Sequence, residues 1–145
     1  MVCTFFGHKD TPNHIKTDLQ EAILNLIEHE GIKTFYVGNN GNFDFLTQNV
    51  LMEITKIRTD ITYYIVLSFI DELALSGNQD RTIFPEELAR SLPQFAIYKR
   101  NDWLIKNSEY VITYVKYSFS NCQKWKEKAS KKGLKIINLA NTENG

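Results

Sequence analysis

Apolar residues along this chain fall into two alternating patterns. Short β-branched or aromatic runs are separated by stretches in which apolar side chains return every three or four positions. Val2 to Phe6 is the first run and predicts a strand, followed by a polar loop from Gly7 to His14. Ile15, Leu19, Ala22, Ile23, Leu26 and Ile27 keep helical spacing as far as Glu30, and Gly31 stops the helix. Thr34-Phe35-Tyr36-Val37 predicts a second strand, and Gly38 to Asn42 a loop. A second helix runs through Phe43, Leu46, Val50, Leu51 and Ile54, and Ile61 to Leu67 predicts a third strand.

The pattern loosens between Phe69 and Pro93. Ser76 to Asp80 has the composition of an exposed turn, and Pro85 and Pro93 restrict the backbone beyond it. Helical spacing resumes through Phe95, Ala96, Tyr98, Trp103, Leu104 and Ile105, ahead of a fourth strand from Tyr110 to Val115. Asn121 to Lys132 reads as a basic helix closed by Gly133, Leu134 to Leu139 as a fifth strand, and Ala140 to Gly145 as a frayed polar tail. With no repeat and no long linker, residues 1–145 are expected to form one domain.

Strands that alternate with helices pair in parallel, because each parallel neighbour needs a crossover. The expected fold is therefore α/β: a three-layer Rossmann-like sandwich around a mainly parallel sheet of about five strands. Such sheets bind ligands beyond the carboxyl ends of their strands, where strand order reverses. That rule directs attention to the loops after Phe6, Val37, Leu67 and Val115.

Composition narrows the function classes. Lys and Arg number 17 and Asp and Glu 17, so the formal charge is zero. A nucleic-acid binder with a broad basic face is disfavoured, although a local basic patch stays compatible. No apolar run approaches the roughly 20 residues of a membrane span, and the first residues lack the basic flank and cleavage site of a signal peptide. Cys3 and Cys122 form no CxxC, which suits a reducing compartment, so the cytoplasm is the expected location. His8, His14 and His29 show no metal-binding spacing, no Gly-x-Ser-x-Gly nucleophile elbow occurs, and no cofactor is implied.

Three loops carry candidate chemistry. Gly38-Asn39-Asn40-Gly41-Asn42-Phe43-Asp44 sets two glycines three apart between a strand and a helix, where backbone can approach a ligand and free N–H groups can hold an anion. A plain tight turn, with Asn42 or Asp44 as the N-cap, has the same composition. Gly7-His8-Lys9-Asp10 offers a flexible backbone and a cation, and His8 is either a ligand donor or a polar residue at a sheet edge. Lys116 to Asn121 offers Tyr117 or Phe119 for stacking, Ser118, and Ser120 or Asn121 as an N-cap that an anion could also meet. On the preceding helix, Arg100 and Asn101 suit a phosphate contact or a surface ion pair. Lys124, Lys126, Lys128, Lys131 and Lys132 read most simply as a solvated helix face.

Three segments together resemble the SLOG superfamily, the Rossmann-like group of the LOG phosphoribohydrolases, and within it the short YpsA-like branch. They are Cys3-Thr4-Phe5-Phe6-Gly7-His8-Lys9, the run from Phe35 to Asp44, and Arg100-Asn101-Asp102-Trp103-Leu104-Ile105 with Ser108 to Tyr114. The resemblance implies a nucleotide-like ligand across the loops after the first, second and fourth strands. By position, Gly38 and Gly41 match the family's glycine-rich turn, Asp44 falls near the polar position that follows it, and Arg100 lies where LOG enzymes carry a substrate-binding arginine.

One departure separates this chain from those enzymes. Their Pro-Gly-Gly-x-Gly-Thr-x-x-Glu motif, which holds the phosphate and supplies the catalytic glutamate, is replaced here by Val115 to Cys122. That glutamate is absent, and although Asp44 or Glu72 could stand in, nothing in their spacing asks for it. The expectation is a non-enzymatic binder of a nucleotide-derived small molecule, a sensor or sequestering protein of the kind associated with bacterial or phage conflict. A nucleotide-processing enzyme related to LOG is the first rival. The second is a homodimer-forming interaction module with a vestigial pocket, using an apolar helix face around Trp103.

Overall fold

β1 (Val2–Gly7) lies inside a single sheet whose six strands are ordered β4-β3-β2-β1-β5-β6, with every neighbouring pair parallel. The other strands are β2 (Thr34–Val37), β3 (Thr62–Val66), β4 (Thr82–Ile83), β5 (Tyr110–Tyr114) and β6 (Lys135–Asn138). This is a computed structural model, and it describes residues 1–70 and 81–141. The turn expected at 76–80, Glu72 and the tail from 142 lie outside the described residues.

Side-chain alternation along the strands builds two cores. Cys3 and Phe5 of β1, Phe35 and Val37 of β2 and Ile112 of β5 face α1 (Lys16–Glu30) and α2 (Asn42–Ile57). Leu19, Ile23, Leu26 and Ile27 of α1, and Val50, Leu51 and Ile54 of α2, close that side. Phe6, Val66 and Val111 face the opposite way, toward Leu104 and Ile105 of α3 (Ala96–Lys106) and Ala129 of α4 (Asn121–Lys131). β5 is buried along its whole length because it has strand neighbours on both sides and helices on both faces. The three-layer α/β sandwich is the one the alternation of patterns predicts.

Two details differ from that expectation. The sixth strand, β4, pairs only Thr82 with Ile65 and Ile83 with Val66, too short for a period-two pattern to show. The first helix begins with a 3-10 turn, Asn13–Ile15, behind Pro12. Among the described residues, no helix is long and apolar enough to cross a membrane.

The chain steps outward from β1 to β4, then returns through α3 to the other side of β1. The strand order thus reverses between β1 and β5, the place where parallel sheets open a crevice at their carboxyl ends. Asn138 fixes one flank of it. Its Oδ1 accepts from Thr113 Oγ1 and from Val115 N, both at 2.9 Å, while its Nδ2 donates to the carbonyls of Val115 (3.1 Å) and Ala140 (2.8 Å). Asn138→Ala removes partners from buried polar groups and is expected to cost on the order of 1–3 kcal/mol. Denaturant unfolding of the two proteins measures it, and an unchanged midpoint would remove Asn138 from the account.

Candidate functional site

A cleft of about 870 Å³ opens at the carboxyl ends of β1 and β2, walled on the other side by α3 and α4. Its floor is polar. Asp44, Arg100 and Asn101 all line it although each is at least nine-tenths buried. Arg100 is held by its own surroundings: Nε donates to Asn101 Oδ1 at 2.9 Å, and Nη1 to the Val66 carbonyl at 3.2 Å and Asn39 Oδ1 at 3.4 Å. The guanidinium is thereby fixed between the end of β3 and the loop after β2.

Gly38 is required at this point by space. A Cβ there would lie 2.7 Å from Arg100 Nη1 and 2.8 Å from Asp44 Oδ2. The ends of both charged side chains lie against the bare α-carbon, and a side chain there would displace them. Gly41 is required twice over, by its φ of +100° and because a Cβ would lie 2.6 Å from Lys9 Cα.

Gly41 is also the N-cap of α2, so the cap is neither Asn42 nor Asp44. Asp44, in the first turn, reaches back and accepts from Asn40 N at 2.8 Å. Burial pushes its carboxyl up to about 6, against the pull of the Arg100 cation and the Asn40 N–H. Asn42 ties two loops together: its N donates to the Lys9 carbonyl at 2.8 Å, and its Nδ2 to Thr11 O at 2.6 Å and Asn13 Oδ1 at 2.8 Å. Lys9 itself projects from this joined edge, exposed, into the cleft lining.

His8 is engaged at both ring nitrogens. Lys116 N donates to Nε2 at 2.9 Å, and Cys122 Sγ lies 3.0 Å from Nδ1. With Nε2 accepting, the neutral ring carries its proton on Nδ1, facing the sulfur. Burial holds the imidazole below its usual range, with Asp10 opposing, and burial likewise raises the Cys122 thiol. The pair therefore rests neutral. His8 fastens the loop after β1 to the start of α4, and its nitrogens are spent within the chain.

Ser120 is the N-cap of α4: its Oγ accepts from Gln123 N at 3.2 Å and donates to Tyr117 O at 2.8 Å. Beyond it, Asn121, Lys124, Trp125 and Lys128 occupy positions i, i+3, i+4 and i+7, one face of the helix, and all line the cleft. The expected solvated lysine face is thus divided, because Lys124 and Lys128 turn toward the cleft. Ile97, Arg100, Asn101 and Leu104 form the matching stripe on α3.

Of the residues singled out in the sequence, Gly7, His8, Lys9, Gly38, Asn40, Asp44, Arg100, Asn101 and Asn121 line this one cleft. Asn39, Gly41 and Asn42 stand behind it as supports. Tyr117, Ser118 and Ser120 do not line it, and neither does Phe119, which is 86% exposed. Trp103 packs on Tyr36 with ring centroids 5.2 Å apart, so its ring is occupied by its own sheet. Asp10, in the candidate loop after β1, lines the cleft too, whereas sequence reasoning missed Tyr98, Cys122, Lys124, Trp125 and Lys128. No local signal marked Lys124, Trp125 and Lys128, because the face they share on α4 reads as solvated until the sheet order sets it beside the cleft.

The cleft carries an excess of cations that the balanced chain conceals: Lys9, Arg100, Lys124 and Lys128 against Asp10 and Asp44. Among the described residues, no group of three or more His, Cys, Asp or Glu side chains is placed to hold a metal ion. No family model matches this chain, and no curated protein matches it.

Because burial raises Asp44 above its unfolded value, the folded state binds that proton more tightly. The resulting stability is present at acid pH and is lost as pH rises through about 6. Asp44→Asn removes this contribution. Moving from about pH 7.5 to about pH 4.5, the stability difference between the proteins is expected to shift toward the wild type by on the order of 1–3 kcal/mol. Urea unfolding at both pH values measures it, and a pH-independent difference would refute the assignment.

Proposed function

We propose that this chain is a SLOG-type protein that binds a nucleotide-derived small molecule in the cleft, as a sensor or sequestering protein rather than an enzyme. The observation that carries this reading is the buried polar floor. Burying charge costs free energy unless the charge is paired and hydrogen-bonded. Here Arg100, Asp44 and Asn101 meet that cost at the point where parallel sheets receive ligands. The cation excess matches an anionic group, and Lys9 and Lys124, both exposed and unpaired with carboxylates among the described residues, are free to meet it. A cytoplasmic setting and self-association belong to the same proposal, the first supported by two free thiols.

One observation favours the rival enzyme reading. A carboxyl titrating near 6 in a cleft is suited to proton transfer. On that reading Asp44 takes a proton from an attacking water or gives one to the departing base, the N-glycosidic bond breaks as the water oxygen bonds to the sugar, and base and ribose phosphate are both released.

Thermal unfolding against nucleoside mono- and diphosphates, cyclic nucleotides and ADP-ribose tests both. Binding to the folded state raises its stability by about 2.7 kcal/mol at a hundredfold excess over Kd, so a shift of several degrees with at least one compound is expected. Gly38→Ala is expected to abolish the shift while circular dichroism shows a folded chain, and Lys9→Ala to weaken it. No response across the panel overturns the binding reading. Product released with time, and lost in Asp44→Asn, turns the binder into an enzyme.

A further inference from the structure

The zero formal charge of the chain conceals a steep division. Residues 116–135, from the end of β5 to the start of β6, hold seven lysines and one glutamate, so the other 125 residues hold ten basic and sixteen acidic side chains. The cleft takes up two of these lysines, Lys124 and Lys128. Lys131 and Lys132 are exposed at the far end of α4, Lys126 is half-buried along it, and none of the three meets a carboxylate among the described residues. Lys124, Lys128 and Lys131 follow one another at i, i+4 and i+7, so a ridge of positive charge runs down α4 from the cleft to the helix end.

Helix stability does not account for the ridge. Cations suit the last turn of a helix, which covers Lys128, Lys131 and Lys132, but Lys124 and Lys126 stand in the first half of α4, where the dipole does not favour them. Like charges three or four residues apart also repel, and the one acid within α4, Glu127, accepts instead from Gln123 Nε2 at 3.0 Å. At the head of the ridge, one residue before the N-cap Ser120, Phe119 is 86% exposed, and among the described residues its ring meets no other ring or cation. A single-stranded polynucleotide complements both features, offering repeated phosphates to the lysines and an unstacked base to the ring. A duplex keeps its bases stacked on one another and offers Phe119 none. A bilayer fits less well, because the exposed residues of α4 are Asn121, Lys124, Glu127, Ser130 and Lys131, with no apolar side chain to enter it.

We propose that the ridge of α4, with Phe119 at its head, binds single-stranded nucleic acid, its phosphates along Lys124, Lys131 and Lys132 and one base stacked on Phe119. The acidic remainder of the molecule repels the strand elsewhere and confines it to this side. Lys124 stands at the boundary with the cleft, whereas Phe119, Lys131 and Lys132 lie outside it, so the ridge can be altered with the cleft lining left intact.

Fluorescence anisotropy of a labelled thymidine oligodeoxynucleotide of about 16 residues, titrated with the protein between about 50 and about 200 mM salt, tests it. With three or four phosphates neutralised, the logarithm of the association constant is expected to fall against the logarithm of salt with a slope of about −2 to −3. Lys131→Gln together with Lys132→Gln is expected to flatten that slope by about 1.4. Phe119→Ala is expected to weaken binding about five- to a hundredfold, and a duplex of the same length to bind the wild type less tightly than the single strand does. All three positions are exposed, so the variants keep the fold, which circular dichroism checks. No binding at the lower salt, a duplex bound as tightly as the single strand, or affinity unaltered in either variant overturns the proposal. So does poly-glutamate that displaces the label as well as unlabelled oligonucleotide does, since the ridge would then be a seat for acidic protein. Each outcome leaves the reading of the cleft untouched, because that reading is tested by small nucleotides.

Discussion

Two opposite charges are buried against a single bare α-carbon at the carboxyl end of β2. Arg100 Nη1 and Asp44 Oδ2 both come so close to Gly38 that a methyl group would displace them. The rest of the cleft depends on this. Arg100 can leave α3 and reach the Val66 carbonyl only because nothing stands over Gly38. Asp44 can turn back to the Asn40 N–H and still share the field of the guanidinium. The helix start, the loop and the crossing helix are thereby set by one shared constraint, and the polar floor results from it.

The fold was largely legible because both of its signals are local. Runs such as Thr34 to Val37 and stripes such as Leu19-Ile23-Leu26-Ile27 announce their period within a few residues. Thr82–Ile83 escaped because a strand this short owes its existence to the edge of β3, not to its own composition. The glycine loops were legible for a similar reason: Gly38 and Gly41 are unusual at their own positions. Tyr98, Trp125, Lys124 and Lys128 were not, since a helix face acquires meaning only when the sheet order decides what it looks at. A lysine-rich helix reads as solvated until α4 is placed beside the crevice. Tyr117 and Phe119 drew attention as aromatic residues in a loop, whereas the aromatic groups lining the cleft include Phe5 and Phe6 of β1 and Tyr98 and Trp125 of the helices.

Local electrostatics also part from the global balance. A chain of zero formal charge gathers cations at one end of its sheet and buries a carboxyl among them. His8 and Cys122 sit at the same end as a neutral pair, because burial opposes the charged form of each. The site is thus built from a few fixed charges in a polar but uncharged frame of Asn39, Asn40, Asn101 and Ser120. Asparagine and serine supply hydrogen bonds there without adding net charge.

The hydrogen bonds from Asn42 to Lys9, Thr11 and Asn13 have a mechanical consequence. They make the two loops after β1 and β2 a single plate, while Lys128 and Asp102 bind α3 and α4 into another. The plates meet through Arg100, which crosses to Asn39, and through His8, which crosses to Cys122. The two sides of the cleft are therefore coupled at those two points, and a ligand spanning them would add a third.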